Sequence, residues 1–350
     1  MDLEETVLPT AGVPWPAATK DGEVPVAHTM SPPALTATGT DRATTLFLRI
    51  GAAVLAVGIV AFGLLYYKDQ HVPSAPSLVE RQIALTEAAV RKAPNDLNAR
   101  LQLGQVYGEA KRYDAALAQF DQVLKVAPGN KDALLGKGFA LMTRGDLDKA
   151  AVPLTSITKA TRKGEFAGAD SQLASAYYYL GVIAVKQHKP DEAVAQLGHA
   201  LKIEPTDSDA MYQVGLAQLQ KGAEVDAIAT FRNALRFVPT GWCEPYQQMQ
   251  TAYTAMKQPA LATYASAMAG FCGGKADEAK TRLTALTAGP AAVDAMLGLG
   301  LIAEAQNEKA TATDWYRKAL AKDPKNISAI SSLATLGVQP KAIGTPPKKK

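Results

Sequence analysis

Reactive side chains are scarce in this sequence. Its 350 residues include two cysteines and four histidines. Two cysteines cannot build a disulfide-dense scaffold or a four-cysteine zinc site, and His28, His71, His188 and His199 lie far apart along the chain, so no metal-ligand cluster emerges. Cys243 and Cys272 lack Cys-x-x-Cys spacing and a neighbouring histidine, which argues against a thiol-redox centre. No Ser-His-Asp set, glycine-rich phosphate loop or carboxylate pair stands at a diagnostic spacing. The chain therefore reads as a non-enzyme with no metal and no cofactor. Charge is thin as well: 20% of residues are charged, and the formal net charge is +4. Lys348, Lys349 and Lys350 supply three of those charges, which leaves no broad basic surface for nucleic acid.

What is present is apolar and ordered in blocks. Hydrophobic residues make up 47% of the chain, ample for a folded body, and the length suits two or three domains or one extended array. Residues 1–45 are the exception: Pro9, Pro14, Pro16, Pro25, Pro32 and Pro33 fall among Thr, Ala and Gly without helical or strand periodicity. Such a segment buries too little apolar area to offset chain entropy and is expected to be a disordered tail. Asp2, Glu4 and Glu5 at its start oppose a secretory signal, whose first residues should be positive.

Residues 46–67, LFLRIGAAVLAVGIVAFGLLYY, carry one charge, Arg49, and predict a single transmembrane helix. Arg49 can reach back to the headgroups, and Tyr66 and Tyr67 mark the opposite interface. Arg42 and Arg49 outnumber Lys68 across the span, which places the amino terminus in the cytoplasm and the body on the extracytoplasmic side. Residues 68–77, with Pro73 and Pro76, form the expected linker.

From residue 78 to 336 the chain repeats itself. Pro94 and Pro128 are 34 apart, as are Gly104 and Gly138, Ala116 and Ala150, Gly181 and Gly215, Ala193 and Ala227, and Pro205 and Pro239. Each period holds two amphipathic stretches and a turn, the mark of a helical-hairpin array. Leu103, Gly104, Tyr107, Ala116, Phe120 and Pro128 form a pattern that resembles the tetratricopeptide repeat (TPR) family. Gly215, Gly222, Ala227, Phe231, Ala234, Leu235 and Pro239 repeat it, as do Leu299, Gly300, Tyr316, Ala319, Leu320 and Pro324. The resemblance implies an all-α solenoid, a right-handed superhelix of helix-turn-helix repeats at about 97–130, 131–164, 174–207, 208–241 and 293–326. A helix at 78–93 would open the stack, one at 327–336 would close it, and 337–350 would be a basic flexible tail.

Three places depart from the pattern. Pro153 falls inside a second helix and should kink or fray it, and Arg162 stands where a proline is expected. The stretch EFAGADSQL then lengthens the following connection. Pro239 and Pro324 are 85 apart, two and a half periods, so the degenerate region 242–292 must add an extra helix or a bend.

Within that region Cys243 precedes one helical stretch and Cys272 ends another, equidistant from the KQP turn between them. In an antiparallel hairpin they lie at the same end, so a Cys243–Cys272 disulfide is geometrically plausible; two small buried thiols are the alternative. A disulfide would agree with an extracytoplasmic body.

In such arrays the first helix of each pair lines the concave surface. The resemblance places Asn98, Leu101, Gln102, Gln105, Leu135, Phe139, Tyr178, Tyr179, Val182, Tyr212, Gln213 and Leu216 there. Family members that clamp acidic chaperone tails use lysines, an arginine and asparagines on these helices, and only Asn98 is comparable here. An uncharged groove of tyrosines and amides suits an extended or helical polypeptide. The expected function is a membrane-anchored adaptor holding a protein or peptide partner for assembly of an envelope complex, resembling bacterial envelope proteins with one span followed by such repeats. The alternatives are a self-associating scaffold, hence a homo-oligomer, or an accessory subunit of an envelope enzyme.

Overall fold

A computed structural model describes residues 40–71, 77–238 and 240–339, and among the described residues there is no strand. The expected tail through residue 39, the linker prolines Pro73 and Pro76, the repeat-closing Pro239 and the basic tail from residue 340 lie outside the described residues. The chain divides into two units, Met1–Ala75 and Pro76–Lys350.

In the first unit, helix α1 (Thr40–His71) contains the apolar stretch Leu46–Tyr67, 22 residues, all of them exposed. Apart from Arg49 it is apolar all round, with Phe47, Leu55, Phe62 and Leu65 each more than 60% exposed, so no stripe is set aside for a protein core. The helix also runs past the expected span at both ends, through residues 40–45 and 68–71, where no proline interrupts the backbone ladder.

The second unit is a succession of helical hairpins. The opening helix α2 (Leu78–Lys92) packs on α3 (Leu97–Glu109), which pairs with α4 (Tyr113–Val126). Next come α5 (Lys131–Arg144) with α6 (Leu147–Thr161), α7 (Ser171–Lys186) with α8 (Pro190–Ile203), and α9 (Ser208–Gln220) with α10 (Glu224–Phe237). Then follow α11 (Glu244–Ala255), α12 (Pro259–Cys272) and α13 (Ala276–Ala285), the pair α14 (Ala292–Ala305) and α15 (Lys309–Lys322), and the closing helix α16 (Ile327–Thr335).

One contact builds each hairpin. A glycine on the first helix receives a large side chain from the second: Phe120 lies on Gly104, Leu154 on Gly138, Leu197 on Gly181, Phe231 on Gly215 and Tyr316 on Gly300. Without a Cβ the two backbones approach closely, and the inserted side chain is fully desolvated, a gain of about 1.5–3 kcal/mol for each. Ala116, Ala150, Ala193, Ala227 and Ala312, all 0% exposed, bring the second helix equally close.

Start signals are local. Asp96, Asn130, Asp170, Asp207 and Asn326 cap α3, α5, α7, α9 and α16, each accepting from backbone amides of the first turn. Within each hairpin the turn has one residue in the left-handed region: Lys111, Gly145, His188, Gly222 and Asn307. Gly145 and Gly222 meet that requirement without steric cost, and the other three positions do not.

These turns also explain the break in the repeat. Lys257 between α11 and α12 and Gly274 between α12 and α13 both take the left-handed conformation. Helix α12 thus serves as the second helix of one hairpin and the first of the next, which adds the expected extra helix and shifts the alternation by half a repeat. Met268 of α12 and Leu283 of α13 both lie against Gly298 of α14.

Two local expectations change. Helix α6 runs on through Pro153, whose ring is buried, so the expected fraying does not occur: its packed neighbours hold the helix across the missing amide. The lengthened connection is shorter than its sequence implied: after a one-turn 3₁₀ helix at Ala167–Ala169, Ser171, Gln172 and Leu173 already belong to the first turn of α7.

Candidate functional site

The candidate residues sit on α3, α5, α7 and α9, the first helices of four successive hairpins. On α3, Asn98, Gln102 and Gln105 are exposed, whereas Leu101 is buried with Ala116, Phe120, Val123 and Ala133. Val182 of α7 is likewise buried, against Leu141, Leu154 and Ile183. These two side chains support the stack from below rather than line an open surface. Leu135, Gln213 and Leu216 are half-buried, and Phe139 remains 40% exposed.

The aromatic members gather in two clusters. Phe139 of α5 meets Tyr179 of α7 with ring centres 5.7 Å apart, and Tyr179 meets Tyr178 edge-on at 5.4 Å. Tyr212 of α9 packs on Phe231 at 5.7 Å and on Trp242 at 5.3 Å. Trp242 lies in the connection before α11 and has no counterpart in the repeat pattern, which is why periodicity passes over it; an aromatic residue three positions after Pro239 was the only available signal. Tyr177, adjacent in sequence to Tyr178, turns the other way and is buried against the His199 ring at 4.9 Å.

The phenols are neutral. Burial, with Asp209 and Asp207 nearby, pushes Tyr178 up to about 12. Burial raises Tyr179 as well, and burial with Glu244 raises Tyr212, while the Gln248 amide pulls Tyr212 back. All three therefore keep their O–H donors throughout the physiological range. Rings and neutral donors combined with the exposed amides of α3 can cover apolar side chains and satisfy backbone groups, but offer no nucleophile or general base. Among the described residues no cluster of His, Cys, Asp and Glu could hold a metal ion.

The two cysteines adjoin the second of these aromatic clusters, Cys243 following Trp242 directly. Cys243 is the residue before α11 and Cys272 the last of α12, so the antiparallel pair brings them together. Both are half-buried free thiols, close enough for each to influence the other. Burial, reinforced by Cys243, pushes the Cys272 thiol up to about 12, which makes it a poor nucleophile.

Comparison with known proteins follows the same segments. No curated protein matches the sequence. Solved structures similar to the chain include MamA, 24% identical over 50% of this chain and 97% of that one, with a TM-score of 0.44. YrrB, described as a TPR protein with an unusual peptide-binding site, is 18% identical over 55% of this chain and 95% of its own, with a TM-score of 0.43. A tetratricopeptide repeat protein from Parabacteroides merdae is 17% identical over 73% of this chain and 90% of its own, with a TM-score of 0.42. The tetratricopeptide repeat model matches residues 101–154, 178–241 and 265–327, more than half of the chain. The chain belongs to the tetratricopeptide repeat family.

Proposed function

We propose that this chain is a membrane-anchored adaptor whose first helices, α3 to α9, hold a polypeptide segment of a partner protein and so support assembly of an envelope complex. The observation that carries this reading is the row of neutral aromatic and amide side chains, Gln102, Gln105, Phe139, Tyr178, Tyr179, Tyr212 and Trp242, set on consecutive hairpins. Large rings supply contact area at low entropic cost, and amides satisfy an extended backbone. Helix α1, apolar on every side over Leu46–Tyr67, is the anchor in this proposal. The amino terminus lies in the cytoplasm and the repeats face an oxidising compartment in which Cys243 and Cys272 become a disulfide; the charge bias of Arg42 and Arg49 over Lys68 and the contact of the two thiols support this.

Two experiments test the proposal. Replacing Tyr178 and Tyr212 together with Ala should abolish partner co-purification from crosslinked membranes while helical content stays unchanged; undiminished capture contradicts the groove assignment. A cysteine placed at Ser74 should react with a membrane-impermeant maleimide in intact cells, and protection until lysis contradicts the orientation.

A further inference from the structure

The first helix of a stack has no preceding repeat to cover its outer side, and terminal repeats are ordinarily polar there. Helix α2 departs from that rule. It packs on α3, and its buried side holds Ile83, Thr86 and the half-buried Val90, spaced three and four residues apart. The opposite side carries Leu78, Arg81, Leu85, Ala88, Ala89 and Lys92, all exposed and at helical spacing. Leu78 is 77% exposed and Leu85 68%. Over the 15 residues of α2 this stripe is about 22 Å long.

Charge is sorted between the two sides. Both acidic residues of α2 are engaged. Glu80 accepts from the Ser77 amide at 2.8 Å, while Glu87 accepts from the Tyr107 hydroxyl of α3 through Oε1 at 2.7 Å and pairs with Arg91 through Oε2 at 3.4 Å. At 3.6 residues per turn, the two glutamates fall about 130–150° around the helix from the middle of the stripe. Arg81 and Lys92 form no ion pair among the described residues, so the stripe presents leucines, alanines and two free cations without a carboxylate.

An apolar stripe interleaved with unpaired bases is the surface chemistry of a helix lying in the plane of an anionic membrane. The chain itself supplies proximity to one. Ten residues, 68–77, separate Tyr67, the last residue of the apolar stretch, from Leu78, a reach of at most about 40 Å. Any bilayer that holds α1 therefore meets α2 at the high effective concentration of a tethered group.

We propose that α2 is a lipid-binding helix lying in the membrane interface. Leu78, Leu85 and Ala89 enter the headgroup–acyl boundary, and Arg81 and Lys92 pair with the phosphates of anionic lipids. The proposal rests on the reading of α1 as a membrane span and goes beyond it: the contact holds the first hairpin at the lipid surface, where a single covalent link leaves its orientation open.

Photocrosslinking tests it in the full chain, reconstituted into vesicles of equal parts phosphatidylcholine and phosphatidylglycerol. These are anionic on both faces, so the outcome is independent of orientation. A benzophenone side chain is placed in turn at Leu85, at Val57 in the apolar stretch, and at Val225, 65% exposed on α10, and lipid adducts are read by mass spectrometry. Adducts are expected from 57 and 85, with at least about fivefold fewer from 225. Arg81→Glu/Lys92→Glu should cut the yield at 85 by about fivefold or more and leave that at 57 unchanged. Both replaced residues are exposed, and circular dichroism checks that the fold is kept. Lipid adducts from 57 with none from 85, equal yields from 85 and 225, a yield at 85 unmoved by the charge reversal, or adducts from 85 to residues 1–39 or to a second copy of the chain in place of lipid would each overturn the proposal and leave the anchor standing. Absence of lipid adducts from 57 would remove the anchor and the proposal with it.

Discussion

Arg232 and Asp294 meet at 2.9 Å across three intervening helices, joining α10 to α14 where the repeat loses its phase. Burial opposes the charge on Arg232, but Asp294 overrides it and holds the guanidinium ionised. Burial likewise raises the Asp294 carboxyl, and Arg232 pulls it partly back. Replacing Asp294 with Ala would leave the arginine without its counter-charge. Breaking a fully buried pair costs about 3–5 kcal/mol, and because the Arg232 side chain keeps 45% of its exposure, solvent screening reduces the expected loss to about 1–3 kcal/mol. Urea unfolding measures it, and a change below about 0.5 kcal/mol would contradict a stabilising role for the bridge.

Two glycines on α3 should respond in opposite directions to the same substitution. A methyl group at Gly104 would sit 2.7 Å from Phe120 Cε1, whereas at Gly108 nothing lies within 4 Å. Gly108→Ala is expected to stabilise by up to about 1 kcal/mol through helix propensity. In Gly104→Ala that gain is outweighed by overpacking, for a net loss of about 1–2 kcal/mol. Thermal or urea unfolding distinguishes the two, and equal shifts would refute close approach at Gly104 as the basis of the hairpin.

Oxidation should lock the α11–α12 hairpin. Cross-linking Cys243 to Cys272 closes a loop of about 30 residues, for which chain entropy gives roughly 3–4 kcal/mol. The thermal midpoint should therefore fall on adding dithiothreitol to protein isolated without reductant, and should be insensitive to it in Cys272→Ser. Because Cys272 is held near 12, iodoacetamide at neutral pH should modify the folded, reduced protein slowly and the unfolded protein fast. Rapid alkylation of the folded form would contradict the contact.

Glu304 gives a pH signature. Burial raises its carboxyl above the ordinary value, with Tyr316 opposing. A folded-state value above the unfolded one means that stability declines as pH rises from the unfolded value through the folded one, so the penalty grows from acid toward neutral pH. Glu304→Gln should melt above the unaltered protein at pH 7 and together with it near pH 3.5, below the roughly 4.3 of an unfolded glutamate. Coincident melting at pH 7 would refute the buried-carboxylate assignment.

The hairpins were legible because their physics is periodic: Gly104, Ala116 and Phe120 recur wherever two helices must touch. Even the half-repeat shift was visible in the Pro239–Pro324 spacing, although its cause, a left-handed turn at both Lys257 and Gly274, was not. Within the candidate groove the sequence placed residues on the correct helices but not always on the exposed side. Leu101 and Val182 are buried because a first helix packs against its own partner and the preceding repeat, leaving only a narrow stripe open. Trp242 has no repeat position at all, and the Arg232–Asp294 bridge depends on helices that local patterns cannot bring together.

The central claim, that partner binding falls to the first helices of the array, is tested most directly by site-specific photocrosslinking in native membranes. A benzophenone side chain at Phe139, 40% exposed on α5, is compared with one at Val152, 66% exposed on the second helix α6. The account predicts a discrete protein adduct from position 139 and none from position 152. Adducts from 152 alone, or equally from both, would contradict it.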